Sequence, residues 1–157
     1  MGWFSFQDST PAQVAASVMP STPYHVKMAE SRETLHWLVK KQSNNISTNV
    51  YSEIRELEKT LKEINVFLEG FKPSAADEHM LDSIMMDYLP SALELFLKLP
   101  EKGRKVGGEG DELLLKQCKT IARDLLNRNA DLHERATKDL KTQAAFIEDR
   151  FNDANAT

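Results

Sequence analysis

Glu33 and His36 stand three residues apart, a spacing that sets a carboxylate and an imidazole on one helix face, where the two could ligate a metal. Helical bundles that hold two metal ions use two Glu-x-x-His pairs plus two further inward-facing glutamates. This chain has one pair, because His25, His79 and His133 have no Asp or Glu three residues before them. No metal site is expected, and the histidines read as surface or helix-end residues. Cys118 is the only cysteine, which excludes an intrachain disulfide and a cysteine zinc site. It falls on the apolar stripe of a helix and reads as a buried, unreactive thiol. The Gly-Gly-Glu-Gly run at 107–110 has no Lys-Ser/Thr after it and no strand before it, so it is not a phosphate loop. Neither a Gly-x-Ser-x-Gly elbow nor a dinucleotide glycine pattern is present. The many carboxylates fall on helical outer faces, where a solvated charge is the ordinary state. No catalytic residue and no cofactor are assigned.

The elements around these residues read as helices throughout. The 157 residues suit one domain, 41% are hydrophobic and 28% charged, and Val and Ile are sparse beside Leu, Ala, Glu and Lys. A net charge of −4 supplies no basic face for nucleic acid. The opening MGWFSFQDST lacks the basic start, apolar run and cleavage site of a secretory leader, so the cytoplasm is the expected compartment. Met1-Gly2 would suit N-myristoylation, but Phe6 stands where that pattern needs Ser or Thr.

Residues 1–23 form an N-terminal segment, and 24–157 one helical-bundle domain. Asp8-Ser9-Thr10-Pro11 starts a short helix that Pro20 stops. Trp3, Phe4 and Phe6 precede it in a stretch too short to bury them; they fold back on the bundle, dock on another chain, or touch a membrane surface. A helix over 24–41 carries Val26, Met28, Leu35, Trp37, Leu38 and Val39 on an irregular stripe. QSNNIST, residues 42–48, breaks it, and Thr48 or Asn49 caps the next. That helix, over 48–69, steps Val50, Ile54, Leu57, Leu61, Ile64 and Leu68 in heptad fashion, with Glu58–Lys62 and Glu56–Lys59 as surface pairs.

The central helix, 77–99, opens at Ser74 or Asp77. It sets Leu81, Ile84, Met85, Tyr88, Leu89, Ala92, Leu93, Leu95, Phe96 and Leu99 on one wide face. Pro90 interrupts it, and a kink or restart is expected near Leu89. Residues 101–112 carry four glycines and read as a flexible, solvated connection. The last helix, 111–153, repeats its stripe every eleven residues through Leu114, Leu125, Ala136 and Ile147. At 1.5 Å per residue it spans about 60 Å against about 33 Å for the central helix. Half of it needs further cover, from the 24–41 helix or from a second copy. Asn129 lies within the stripe, where a buried polar residue can fix a partner or register. Ala136, Ala144 and Ala145 permit close helix approach.

Asp87-Tyr88-Leu89-Pro90-Ser91-Ala92-Leu93, the Leu-Pro at 99–100 and the closing Phe146-Ile147-Glu148-Asp149-Arg150-Phe151 resemble small helical bacterial proteins of unknown function, many of them actinobacterial. The Tyr-Leu-Pro element is also similar to one in the XpaC-like family, named for 5-bromo-4-chloroindolyl phosphate hydrolysis. The likeness spans about residues 46–151, implies a helical fold and brings no functional residues.

The fold expected is all-α: an elongated bundle of three main helices with one or two N-terminal helices. The function expected is non-enzymatic interaction or scaffolding with a protein partner or a second copy. Its contact candidates are Trp3, Phe4, Phe6, Asn129, Leu132, Ala136, Leu140, Ala144, Ile147 and Phe151. An enzyme or accessory factor acting on phosphate esters or metals is the alternative, and a peripheral membrane protein anchored by the N-terminal aromatics is a third.

Overall fold

Helix starts are fixed by side chains that satisfy the first amides of each turn. The Ser47 hydroxyl accepts from the Val50 amide at 3.2 Å and so caps the second helix, one residue ahead of the expected Thr48. Ser74 and Asp77 form a reciprocal capping box: the Ser74 hydroxyl takes the Asp77 amide at 3.1 Å, and the Asp77 carboxylate takes the Ser74 amide at 2.8 Å.

The computed structural model of the chain describes residues 21–156, with side chains through residue 153. Trp3, Phe4, Phe6 and the expected short helix after Pro11 lie outside these residues. Helix α1 spans Tyr24–Lys41 and α2 spans Thr48–Phe67. Helix α3 (Ala75–Ser83) runs through a π-helical turn (Ile84–Tyr88) into α4 (Leu89–Leu97), the three forming one rod. Helix α5 spans Glu109–Ala156, and no strand occurs among the described residues. The fold is an all-α bundle.

The four rods form two hairpins laid together, α1 with α2 and the α3–α4 rod with α5. The Tyr24 hydroxyl donates to Asp82 at 2.9 Å and Ser31 reaches the Met86 sulfur, so α1 runs beside the rod in the same direction. Likewise α2 and α5 run together, with Phe67 stacked on His133 at 4.0 Å between centroids near the base of the bundle. The core is the α2 stripe of Val50, Ile54, Leu57, Leu61 and Ile64, fully buried against Leu114, Cys118, Leu125 and Leu132 of α5 and the inner faces of the other rods. Helix α1 adds Tyr24, Met28, Leu35 and Val39 and leaves Val26 and Trp37 outside.

Three expectations change. First, Tyr88, Leu95 and Leu99 are exposed, while Leu89, Leu93 and Phe96 are buried. Pro90 has no N–H for the Met86 carbonyl, and the Leu89 amide bonds to the Ile84 carbonyl five residues back. The wider turn takes up one extra residue, so the inward positions fall one residue later than in a straight α-helix. Second, the glycine-rich connection is built. Gly107 adopts φ +79°, its amide donates to Asp111 at 3.0 Å, and a Cβ on Gly110 would overlap the Gly103 carbonyl oxygen. Third, α1 packs on α2 and on the α3–α4 rod, not along α5, so it leaves the end of the last helix uncovered.

Burial therefore separates two kinds of leucine. Leu61→Ala is expected to cost about 2–5 kcal/mol in urea unfolding. Leu140→Ala, at low protein concentration, is expected to stay within about 0.5 kcal/mol of the parent chain.

Candidate functional site

The last residue of α5 that the bundle buries is Leu132, followed by half-buried Arg135 and Ala136. Every residue from 137 to 153 is exposed. At 1.5 Å per residue this overhang is about 25 Å long. Its surface is not that of a polar helix: Leu140 and Phe151 are each 66% exposed, Phe146 60% and Ile147 43%. Leu140, Ala144, Ile147 and Phe151 step by four, three and four and so form a single stripe. Of the sequence-derived contact candidates, Leu140, Ala144, Ile147 and Phe151 share this open surface. Leu132 does not, being 2% exposed, and Asn129 is half-buried in the bundle with a side-chain oxygen that meets no donor among the described residues. The bundle reaches further down α5 than its helix lengths suggest, because Phe67 and Phe71 cover that level.

The overhang leaves the bundle at a clamp. Arg135 donates to both carboxylate oxygens of Asp77 at 2.9 Å and lies over the Phe71 ring at 6.0 Å. Asp77 also holds the capping box, so one carboxylate ties the start of α3 to α5. Burial alone would raise the Asp77 pKa. The Ser74 amide and the Arg135 guanidinium outweigh it and hold the carboxyl below its ordinary range.

A concavity of about 680 Å³ lies between α1 and α2 and is lined by Arg32, His36, Arg55, Glu58, Lys59 and Lys62 among others. Glu58 sits between His36 Nδ1 at 3.2 Å and Arg55 at 3.3 Å. It turns across to α1, and neither Glu58–Lys62 nor Glu56–Lys59 comes within ion-pair distance. Arg32 donates to Asn65 at 2.9 Å, and Asn65 donates to the His25 carbonyl at 2.8 Å, a polar link joining the two helices. Burial lowers the Arg32 pKa, with Glu58 opposing. Sequence reasoning missed this groove, because only the α1–α2 packing brings Arg32 and His36 to Arg55 and Lys59. No group of three or more His, Cys, Asp or Glu able to hold a metal occurs among the described residues, although Glu33 and His36 both line the groove.

Set against protein families, curated proteins and solved structures, the chain matches none. No helix among the described residues is long and apolar enough to cross a membrane. Cys118 is fully buried, and burial first, then the Glu53 charge, pushes its thiol up to about 12.

Two measurements check these environments. The folded pKa of Asp77 lies below its unfolded value of about 3.9, so its contribution is complete at neutral pH and is lost as pH falls below that value. Asp77→Asn is expected to lower stability at pH 7 and to flatten the acid limb of a stability–pH curve. Cys118 is expected to react with a thiol reagent only at the rate of unfolding, even at pH 9.

Proposed function

We propose that this chain is a non-enzymatic helical interaction protein, working in the cytoplasm, whose bundle is a rigid base presenting the end of α5 to a protein partner. One observation carries this reading: Leu140, Ile147 and Phe151 lie open to water along one face of a helix end that nothing among the described residues covers. Apolar residues scattered singly on a surface need no explanation, but a continuous stripe along a projecting helix suits helix-to-helix docking. The clamp at Arg135 supports it, since a fixed exit direction keeps the stripe presented. A lone buried thiol suits a reducing compartment such as the cytoplasm.

The reading requires that Leu140→Glu/Ile147→Glu abolish partner capture while leaving far-UV circular dichroism and the unfolding midpoint unchanged. Capture undiminished in that variant, measured by pull-down with the full chain as bait, would sink it.

A second reading has the groove in its favour. Arg32, Arg55, Lys59 and Lys62 line it beside the carboxylates of Glu33, Glu56 and Glu58, and this basic majority supports an accessory role toward phosphate esters. This reading calls for phosphate-ester turnover or anion binding by the pure chain that Lys59→Ala/Lys62→Ala removes.

A further inference from the structure

We infer that the surface presented by α5 is occupied by a second copy of this chain, the two overhangs lying antiparallel. The inference rests on the interaction reading and names its partner.

The charges of the overhang point to this occupant. From Lys138 to Asp153 no charged side chain comes within ion-pair distance of an opposite charge among the described residues. The spacing explains it. Within 138–153 no opposite charges stand four apart, and Arg135, four before Asp139, is taken up by Asp77 and Asp131. Arg150 lies over the Phe146 ring of its own helix at 5.6 Å instead of beside a carboxylate. The overhang's basic residues other than Arg150 lie in the first half, at Lys138 and Lys141, and its acidic residues other than Asp139 lie in the second, at Glu148, Asp149 and Asp153.

An antiparallel pairing centred between Gln143 and Ala144 answers both the charges and the shapes. Leu140 lies opposite the partner's Ile147, and the small Ala136 opposite the large ring of the partner's Phe151. On the flanks, Asp139 falls beside the partner's Arg150 and Lys141 beside the partner's Glu148, an opposite charge in each case. A parallel pairing would set Phe151 on Phe151, leave a gap between the two Ala136 residues, and bring neither Asp139 beside Arg150 nor Lys141 beside Glu148. Opposite charges on the flanks choose orientation in paired helices, and only the antiparallel one brings these together. Length agrees too, because the overhang of each chain can lie along the other only as far as the base of the partner's bundle. A two-helix contact about 25 Å long is at the small end of specific interfaces, so association is expected as a concentration-dependent equilibrium.

Sedimentation velocity and disulfide trapping on the full chain test this. The parent chain is expected to move from monomer to dimer with rising concentration. Leu140→Glu/Ile147→Glu is expected to weaken that association about tenfold or more without loss of helix. Lys141→Glu and Glu148→Lys each set like charges across the seam and weaken it, whereas the two together restore it. Ala144→Cys, close to the two-fold axis, is expected to cross-link under mild oxidation, while Phe151→Cys cross-links only when mixed with Ala136→Cys. Phe151→Cys trapping itself as fast as Ala144→Cys would overturn the antiparallel arrangement. A chain that stays monomeric up to about 1 mM overturns the second copy as occupant. If Leu140→Glu/Ile147→Glu then still abolishes capture of another protein, the interaction reading stands alone; if it does not, both fall.

Discussion

Everything in this molecule hangs on the dry seam between α2 and α5. Val50, Ile54, Leu57, Leu61 and Ile64 are closed to water on one side, and Leu114, Cys118, Leu125 and Leu132 on the other. Removing apolar surface from water is the main force holding such rods together, at about 25 cal/mol per Å². The seam also has an end, because α2 stops at Phe67 and its chain turns away through Phe71. Helices draw most of their stability from packing, so the point where α2 ends is the point where α5 becomes a different object. Above it α5 is a core element; below it, a projecting arm.

The base of the bundle makes that change abrupt. Phe67 stacks on His133, Arg135 lies over Phe71, and Asp77 closes both its own helix start and the ion pair to Arg135. A helix that leaves a bundle through loose loops has no set direction. Here aromatic contact and the Arg135 Nη2, shared between both Asp77 oxygens, hold the exit on more than one side. The arm inherits its orientation from the bundle.

Much of this was legible in the residues. The steps of α2 from Val50 to Leu68, the start of the central rod near Ser74 and the great length of the last helix all follow from periodicity and capping chemistry, which are local. Two features depended on chain segments meeting in space. The tight loop needs the approach of Gly110 to the Gly103 carbonyl, whereas its glycine count suggests only looseness. The groove needs α1 laid on α2, which sets His36 and Arg55 on either side of Glu58 and draws that carboxylate away from Lys62. Of the contact surface, Leu140, Ala144, Ile147 and Phe151 were visible as a stripe. That Leu132 belongs to the bundle instead depended on where α2 ends and what Phe71 covers. The inward face beyond Pro90 was misread for a subtler reason. The residue types were right for a wide apolar stripe, but a straight-helix count cannot register a turn that holds an additional residue.

That turn has a consequence for how the chain tolerates changes in length. The rod stores one surplus residue within Ile84–Tyr88, with Leu81 above it and Leu89, Leu93 and Phe96 below it all directed into the core. Removing Met86 or Asp87, both exposed within that turn, would restore α-helical spacing from Met85 to the inward Leu89, Leu93 and Phe96, with Pro90 still withholding an N–H from the turn before it. Length variation in helical proteins is usually confined to connecting segments, but this molecule keeps a slot for it inside its most apolar helix.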